Sequence, residues 1–179
     1  MDNNEFWWLI DKAKEKSKGN RTLQEQLLIS SLTECLLDEI VEFECILREY
    51  LIEADDFKII AAQKIIDGYV IDDPYLYFRC WLIGQGREVF MSALHDPDTL
   101  ADVMDEPYQD FEELLYVATA AYEQRTGKKE NDDKEDVFPR GVASARGLDY
   151  DFGSFTKGDD WTEEQLPTMF PRLWAKFNT

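Results

Sequence analysis

Between Arg87 and Arg125 the chain has no lysine or arginine, and it places ten carboxylates there. They are Glu88, Asp96, Asp98, Asp102, Asp105, Glu106, Asp110, Glu112, Glu113 and Glu123. Core-forming residues such as Leu100, Phe111, Leu114, Leu115 and Val117 stand among them, which excludes a disordered acidic tail and predicts a folded acidic surface. A negative field of this kind repels nucleic acid and anionic membrane and selects basic partners. The other scarcities point the same way. There is one histidine, His95, and no HExxH or Ser-centred elbow, so no catalytic residue, cofactor site or metal site is assigned. The three cysteines, Cys35, Cys45 and Cys80, are odd in number and lack metal-ligand spacing, so buried thiols in a reducing compartment are expected. No apolar run is long enough to cross a membrane. The opening MDNNEFWWLI lacks the basic start of a secretion leader, and a bacterial-type cytoplasmic protein is the expectation.

What the chain does contain suits a folded domain. Hydrophobic residues make up 44% and aromatics 13% of 179 residues. The net charge of −19 is unevenly spread, with residues 1–21 and 125–179 close to balance. Residues 22–124 hold 23 carboxylates against five basic side chains.

Apolar residues recur at three and four positions and no strand alternation stands out, so the fold class is all-α, a compact multi-helix domain. A first helix runs to about Lys16 with Asn3 or Asn4 as its cap. A long helical pattern covers residues 22–54, with a break allowed near Ser30 and Ser31, and a shorter one covers 57–66 and closes at Gly68. Asp73 and Pro74 form a good start for a central helix over 75–94, apolar almost all round. Short helices are expected to Met104 and over 108–126. Residues 1–127 thus form a helical domain. Residues 128–160 are a polar linker and an irregular excursion containing Pro139 and Gly141, Gly147, Gly153 and Gly158. Residues 161–179 form a C-terminal helix packing back, interrupted by Pro167 and Pro171.

Two patterns are candidates for function. On the long helix, Glu34, Asp38, Glu42, Glu49, Glu53 and Asp56 fall on the side opposite an apolar stripe of Leu32, Leu36, Ile40, Phe43 and Leu47. If straight, that ribbon spans about 33 Å. With Asp102, Asp105 and Glu106 it forms the candidate surface for a basic protein partner, without direct nucleic-acid or membrane binding; a merely solvated face is the plainer reading. Arg79 and Arg87, eight residues apart, either pair with carboxylates or form an anion site in a helical cleft. Arg79 in particular is expected buried and paired, since Phe78, Cys80, Trp81 and Leu82 surround it in sequence. Gly84 and Gly86 lie inside a helical pattern and read as close packing, not as a dinucleotide fingerprint. Asp96 and Asp98 read as caps, and the five tryptophans as core or interface anchors. Asp149, Asp151 and Gly153 resemble the start of a calcium loop, but the bidentate Glu that would complete it is absent.

The run DDPYLYFRCWLIGQGREVFMSALHDPDTLAD at 72–102, with FWWLIDKA near the start and YVATAAYEQRTG at 116–127, resembles the bacterial family called domain of unknown function 4240. The likeness covers roughly residues 4–127. It implies a compact domain in which Arg79, Trp81, Gly86, Arg87, Asp96 and Pro97 belong to the scaffold, and it carries no catalytic residues. The function expected on these grounds is that of a non-enzymatic acidic interaction protein, either toxin-neutralising (an immunity protein) or mimicking nucleic acid. The alternative is a small-molecule anion sensor or enzyme using Arg79 and Arg87.

Overall fold

A computed structural model describes residues 1–150 and 155–178, and among them the regular structure is helical apart from a single isolated bridge between Asp56 and Lys157. The helices are α1 (Asn3–Ser17), α2 (Arg21–Thr33), α3 (Leu37–Glu53), α4 (Phe57–Asp67), α5 (Asp72–Gly84), α6 (Arg87–His95), α7 (Val117–Thr126), α8 (Pro139–Ala145), α9 (Leu166–Met169) and α10 (Pro171–Phe177). Short 3₁₀ turns at Pro97–Asp102 and Glu112–Tyr116 connect α6 to α7.

Local chemistry sets the ends. Asp2, not Asn3 or Asn4, caps α1: its carboxylate accepts from the Asn4 and Glu5 amides while Glu5 accepts from the Asp2 amide, which satisfies three backbone donors. Asn20 caps α2 and Asp56 caps α4. Gly68 and Gly127 end α4 and α7 in the left-handed region, at φ 80° and 71°.

Two expected long helices are each two. The pattern over 22–54 breaks between Thr33 and Leu37, where Glu39 reaches back to accept the Leu36 amide at 2.8 Å and starts α3 afresh. Leu36, expected in the apolar stripe, is consequently exposed. The central helix over 75–94 breaks at Gly86, whose φ of 93° no helix accommodates. Asp11 of α1 sits against that turn and accepts the Arg87 amide at 2.9 Å, so one helix caps another across the fold. Gly84 serves close packing, as expected: a Cβ there would stand 2.7 Å from the Phe111 ring. The α5 helix also starts earlier than Pro74, with Asp72 and Asp73 in its first turn, where carboxylates oppose the positive helix end.

An aromatic cluster lies where α1, α3 and α6 meet. Phe6 and Phe43 have ring centroids 4.8 Å apart, and Trp7 lies 4.8 Å from Tyr50 and 5.2 Å from Phe90. Trp81 is also buried, whereas Trp8 is exposed and Trp161 donates its ring N–H to the Phe57 carbonyl at 2.8 Å. Cys45 and Cys80 are buried and Cys35 is partly exposed; all three are free thiols.

The tail is more ordered than its composition suggests. Inside 128–160, α8 packs against α3 and buries Phe138 and Ala143. The expected C-terminal helix is a 3₁₀ turn followed by α9 and α10, divided at Phe170 and Pro171. It packs against α4 and the Pro97–Asp102 turn and buries Leu166, Phe170 and Leu173. Asp151 and Gly153 of the calcium-like pattern lie outside the described residues, and Asp149 sits 3.9 Å from Arg48.

Candidate functional site

The acidic surface divides according to what each carboxylate does. The break before α3 removes the straight 33 Å ribbon. Glu34 belongs to the end of α2 and Asp56 to the cap of α4, where its carboxylate accepts the Lys58 amide at 2.8 Å. What remains on α3 is Asp38, Glu42, Glu49 and Glu53, at spacings that keep them on one side over about 22 Å. Glu42 is engaged by Arg146 beyond α8 at 2.7 Å, and that guanidinium holds its carboxyl below the usual range. Glu34, Asp38, Glu49 and Glu53 are exposed, and their carboxylates make no hydrogen bond or ion pair among the described residues, although the charge of Glu49 acts on Arg146.

The stretch from Asp96 to Asp110 is used differently. Asp96 accepts the Asp98 amide and opens the 3₁₀ turn. Asp98 does not cap its own turn. It is buried and accepts the backbone amides of Arg172 at 3.1 Å and Leu173 at 2.8 Å, so it holds the N-terminus of α10. Asp102 pairs with Arg172, Asp105 with Lys176 at 2.9 Å, and Asp110 with Arg21. Of the three candidate partner-binding residues in this stretch, Asp102 and Asp105 are therefore engaged by α10, and only Glu106 is exposed without such a partner among the described residues.

Arg79 and Arg87 stand on different helices, because the turn at Gly86 separates α5 from α6. Arg79 is 4% exposed, as the sequence leads one to expect. It donates to the Leu51 carbonyl at 2.8 Å, lies 3.8 Å from Asp55 and stacks over Tyr75 at 4.5 Å. Arg87 is exposed on α6 and donates to Asn4 at 3.1 Å. Arg79 thus has a structural role, and Arg87 a surface position. His95 is exposed at the end of α6.

Three arrangements carry little sequence signal. The first is a second buried ion pair: Glu44 and Arg48, one turn apart on the inner side of α3, meet at 2.7 Å. Arg48 also donates to Ser144 at 3.0 Å and to the Leu148 carbonyl at 3.1 Å. Burial pushes the Glu44 carboxyl up, with Arg48 pulling it back. An open cavity of about 320 Å³ adjoins this pair, lined by Arg48, Arg140, Glu130, Ser144, Asp149 and Tyr150. Its charges are of both signs and already oppose one another.

The second is a clamp at the end of α4. Asp67 is buried, accepts the Tyr108 amide at 2.7 Å and accepts from the Gln63 side chain at 3.1 Å. The same Gln63 amide donates to the Pro74 carbonyl at 3.2 Å. Desolvation pushes the Asp67 carboxyl up against the pull of these donors. The third follows from it: Tyr69 and Tyr108, from different loops, come together at the surface with ring centroids 6.0 Å apart. The Asp at position 67, immediately before a helix-ending glycine, is the one sequence cue to this clamp.

Among the described residues no three His, Cys, Asp or Glu side chains converge as a metal-binding group, and no helix is long and apolar enough to cross a membrane. The fold and surface together define an all-α acidic domain whose charge lies mostly outside its core. The chain belongs to the family described as Protein of unknown function (DUF4240), whose model matches residues 1–124. No curated protein and no solved structure matches it.

Proposed function

We propose that this chain is a non-catalytic interaction protein whose acidic surface receives a basic protein partner. The fate of the five basic side chains in residues 22–124 carries the reading. Arg48 and Arg79 are buried against carboxylates, and Lys64 pairs with Glu163 at 3.0 Å. Only Lys58 and Arg87 stand exposed in a region with 23 carboxylates. Arg21, Arg146, Arg172 and Lys176 reach that surface from outside the region, yet Glu34, Asp38, Glu49 and Glu53 stay unpaired among the described residues. An unneutralised field of one sign steers an oppositely charged partner and rejects like-charged ones. Within this reading the finer assignment is a toxin-neutralising immunity protein or a nucleic-acid mimic in a cytoplasmic setting. The size and the charge of the chain support it.

The test is chemical crosslinking in the source cells, followed by association kinetics of the captured protein at low and high salt. The association rate should fall steeply with salt, because screening acts over about 8 Å at physiological ionic strength. Charge reversal at Glu49 and Glu53 should slow association and leave the fold intact. A salt-independent rate, unchanged by the reversal, would reduce the α3 face to a solvated surface.

A further inference from the structure

The acidic field explains attraction over distance but not where a partner is gripped. Interfaces are held by a few large side chains in ordered positions, and tyrosine is prominent among them. Among the described residues, Tyr69 and Tyr108 are two exposed tyrosines whose rings come together at the surface. Tyr69 is 45% exposed, Ile71 58% and Tyr108 60%, and the two tyrosine rings lie 6.0 Å apart at an interplanar angle of 31°. Burying these side chains would remove apolar area from water that the isolated chain leaves exposed.

The backbone beneath them is built and held. Tyr108 has φ 59°, in the left-handed region that bulky residues seldom occupy. Its amide is fixed by the buried Asp67 carboxylate, and Phe111, three residues on, donates its amide to the Tyr77 carbonyl at 3.2 Å. Gln63 of α4 donates to the Pro74 carbonyl in the first turn of α5, holding together the two helices that the Tyr69 loop joins. The Tyr108 loop is thereby anchored to α4 and α5, and the Tyr69 loop spans their fixed ends. A pre-ordered aromatic pair loses little freedom on binding, which is the condition for a strong contact.

Charge names the occupant. Asp72 and Asp73 follow Ile71 directly and are exposed, and Glu106 precedes Tyr108 by two residues and is exposed. None of the three has an ion pair among the described residues, and no lysine or arginine occurs in residues 65–78 or 88–124. Exposed tyrosine faces with unpaired carboxylates close by in the chain favour a cation that is both charged and planar, which is the guanidinium group. We infer that the Tyr69–Ile71–Tyr108 patch is the docking point for an arginine-bearing segment of a protein partner. The inference rests on the basic-partner reading above and gives it a location and a side-chain chemistry.

The test uses a blocked arginine–serine repeat peptide titrated into the full ¹⁵N-labelled chain, with amide shifts mapped by residue. The expected result is that shifts centre on residues 68–73 and 106–110. Y69A combined with Y108N, whose asparagine tolerates the left-handed backbone, should weaken binding about tenfold. D72N with D73N should weaken it several-fold and flatten its salt dependence. Unchanged thermal melting of each variant establishes that the loss is local. A lysine–serine peptide of equal length binding as tightly as the arginine peptide overturns the guanidinium assignment. Peptide binding with shifts centred on residues 34–53, unaffected by the tyrosine variant, overturns the patch while the basic-partner reading stands. Failure of the peptide to bind at all, even at low salt, counts against both.

Discussion

Two acidic stretches of this chain look alike in composition and are used in opposite ways. From Asp96 to Asp110 five of the six carboxylates, all but Glu106, are engaged by the fold: Asp96 and Asp98 accept backbone amides, and Asp102, Asp105 and Asp110 pair with Arg172, Lys176 and Arg21. On the outer side of α3 and at the end of α2, Glu34, Asp38, Glu49 and Glu53 do none of this. The first set is all aspartate and sits at helix ends and turns, where a short carboxylate reaches backbone N–H groups. The second is mostly glutamate, with most of its members on helix surface, where a longer side chain extends into water. The inner side of α3 sharpens the contrast, since Glu44 is buried there on Arg48. Charge counted along a sequence therefore overstates the charge available to a partner, and position relative to helix ends says which carboxylates to discount.

The contrast can be broken by substitution, and the largest effect belongs to the buried pair. R48A leaves Glu44 buried without its counter-ion and should cost about 3–5 kcal/mol in denaturant unfolding. The cost should depend on pH. Burial already raises the Glu44 carboxyl above its unfolded value, so its contribution is present below that value and is lost as pH rises through the folded one. Removing Arg48 removes the downward pull, so the deficit against the unmodified chain should be greater at mildly alkaline than at mildly acid pH. Equal deficits at the two would contradict the assignment.

Next in size is D98A, which strips two backbone amides of α10 of their acceptor and should cost about 2–4 kcal/mol. Amide exchange should then speed up in residues 172–177 before the rest of the fold. D102N and D105N break exposed pairs and should each cost no more than about 1 kcal/mol, read as small shifts in urea midpoint. At the bottom of the scale, E49Q with E53Q removes a like-charge pair one turn apart and should change stability by only a few tenths of a kcal/mol, toward stabilisation.

How much of this was legible in the sequence follows the same division. Helical periodicity, the glycine stops at Gly68 and Gly127, and the burial of Arg79 among core-forming neighbours were all legible, because each is a local signal. The break at Leu36 was not, because the apolar spacing of Leu32, Leu36 and Ile40 runs through it and no Ser, Thr, Asp or Asn marks the new start. The signal present was Glu39, three residues into the new helix, which satisfies the Leu36 amide. The break at Gly86 had a stronger cue in the glycine itself, and it puts Arg79 and Arg87 on separate helices. The order of α8 within a polar, glycine-containing stretch depends on its packing against α3, a tertiary effect that local propensity does not report. The Asp67 clamp and the tyrosines it positions join residues 41 apart in sequence, and no spacing rule connects them.

The central claim is that one acidic set holds the fold and the other is free of it. Urea unfolding of D98A beside the fourfold neutralisation E34Q/D38N/E49Q/E53Q compares them directly. The account predicts that the single substitution at Asp98 lowers the unfolding midpoint clearly, while the four together leave it unchanged or raise it slightly. A fourfold variant that loses more stability than D98A would show that the outer carboxylates are structural and that the surface proposed for a partner is part of the scaffold.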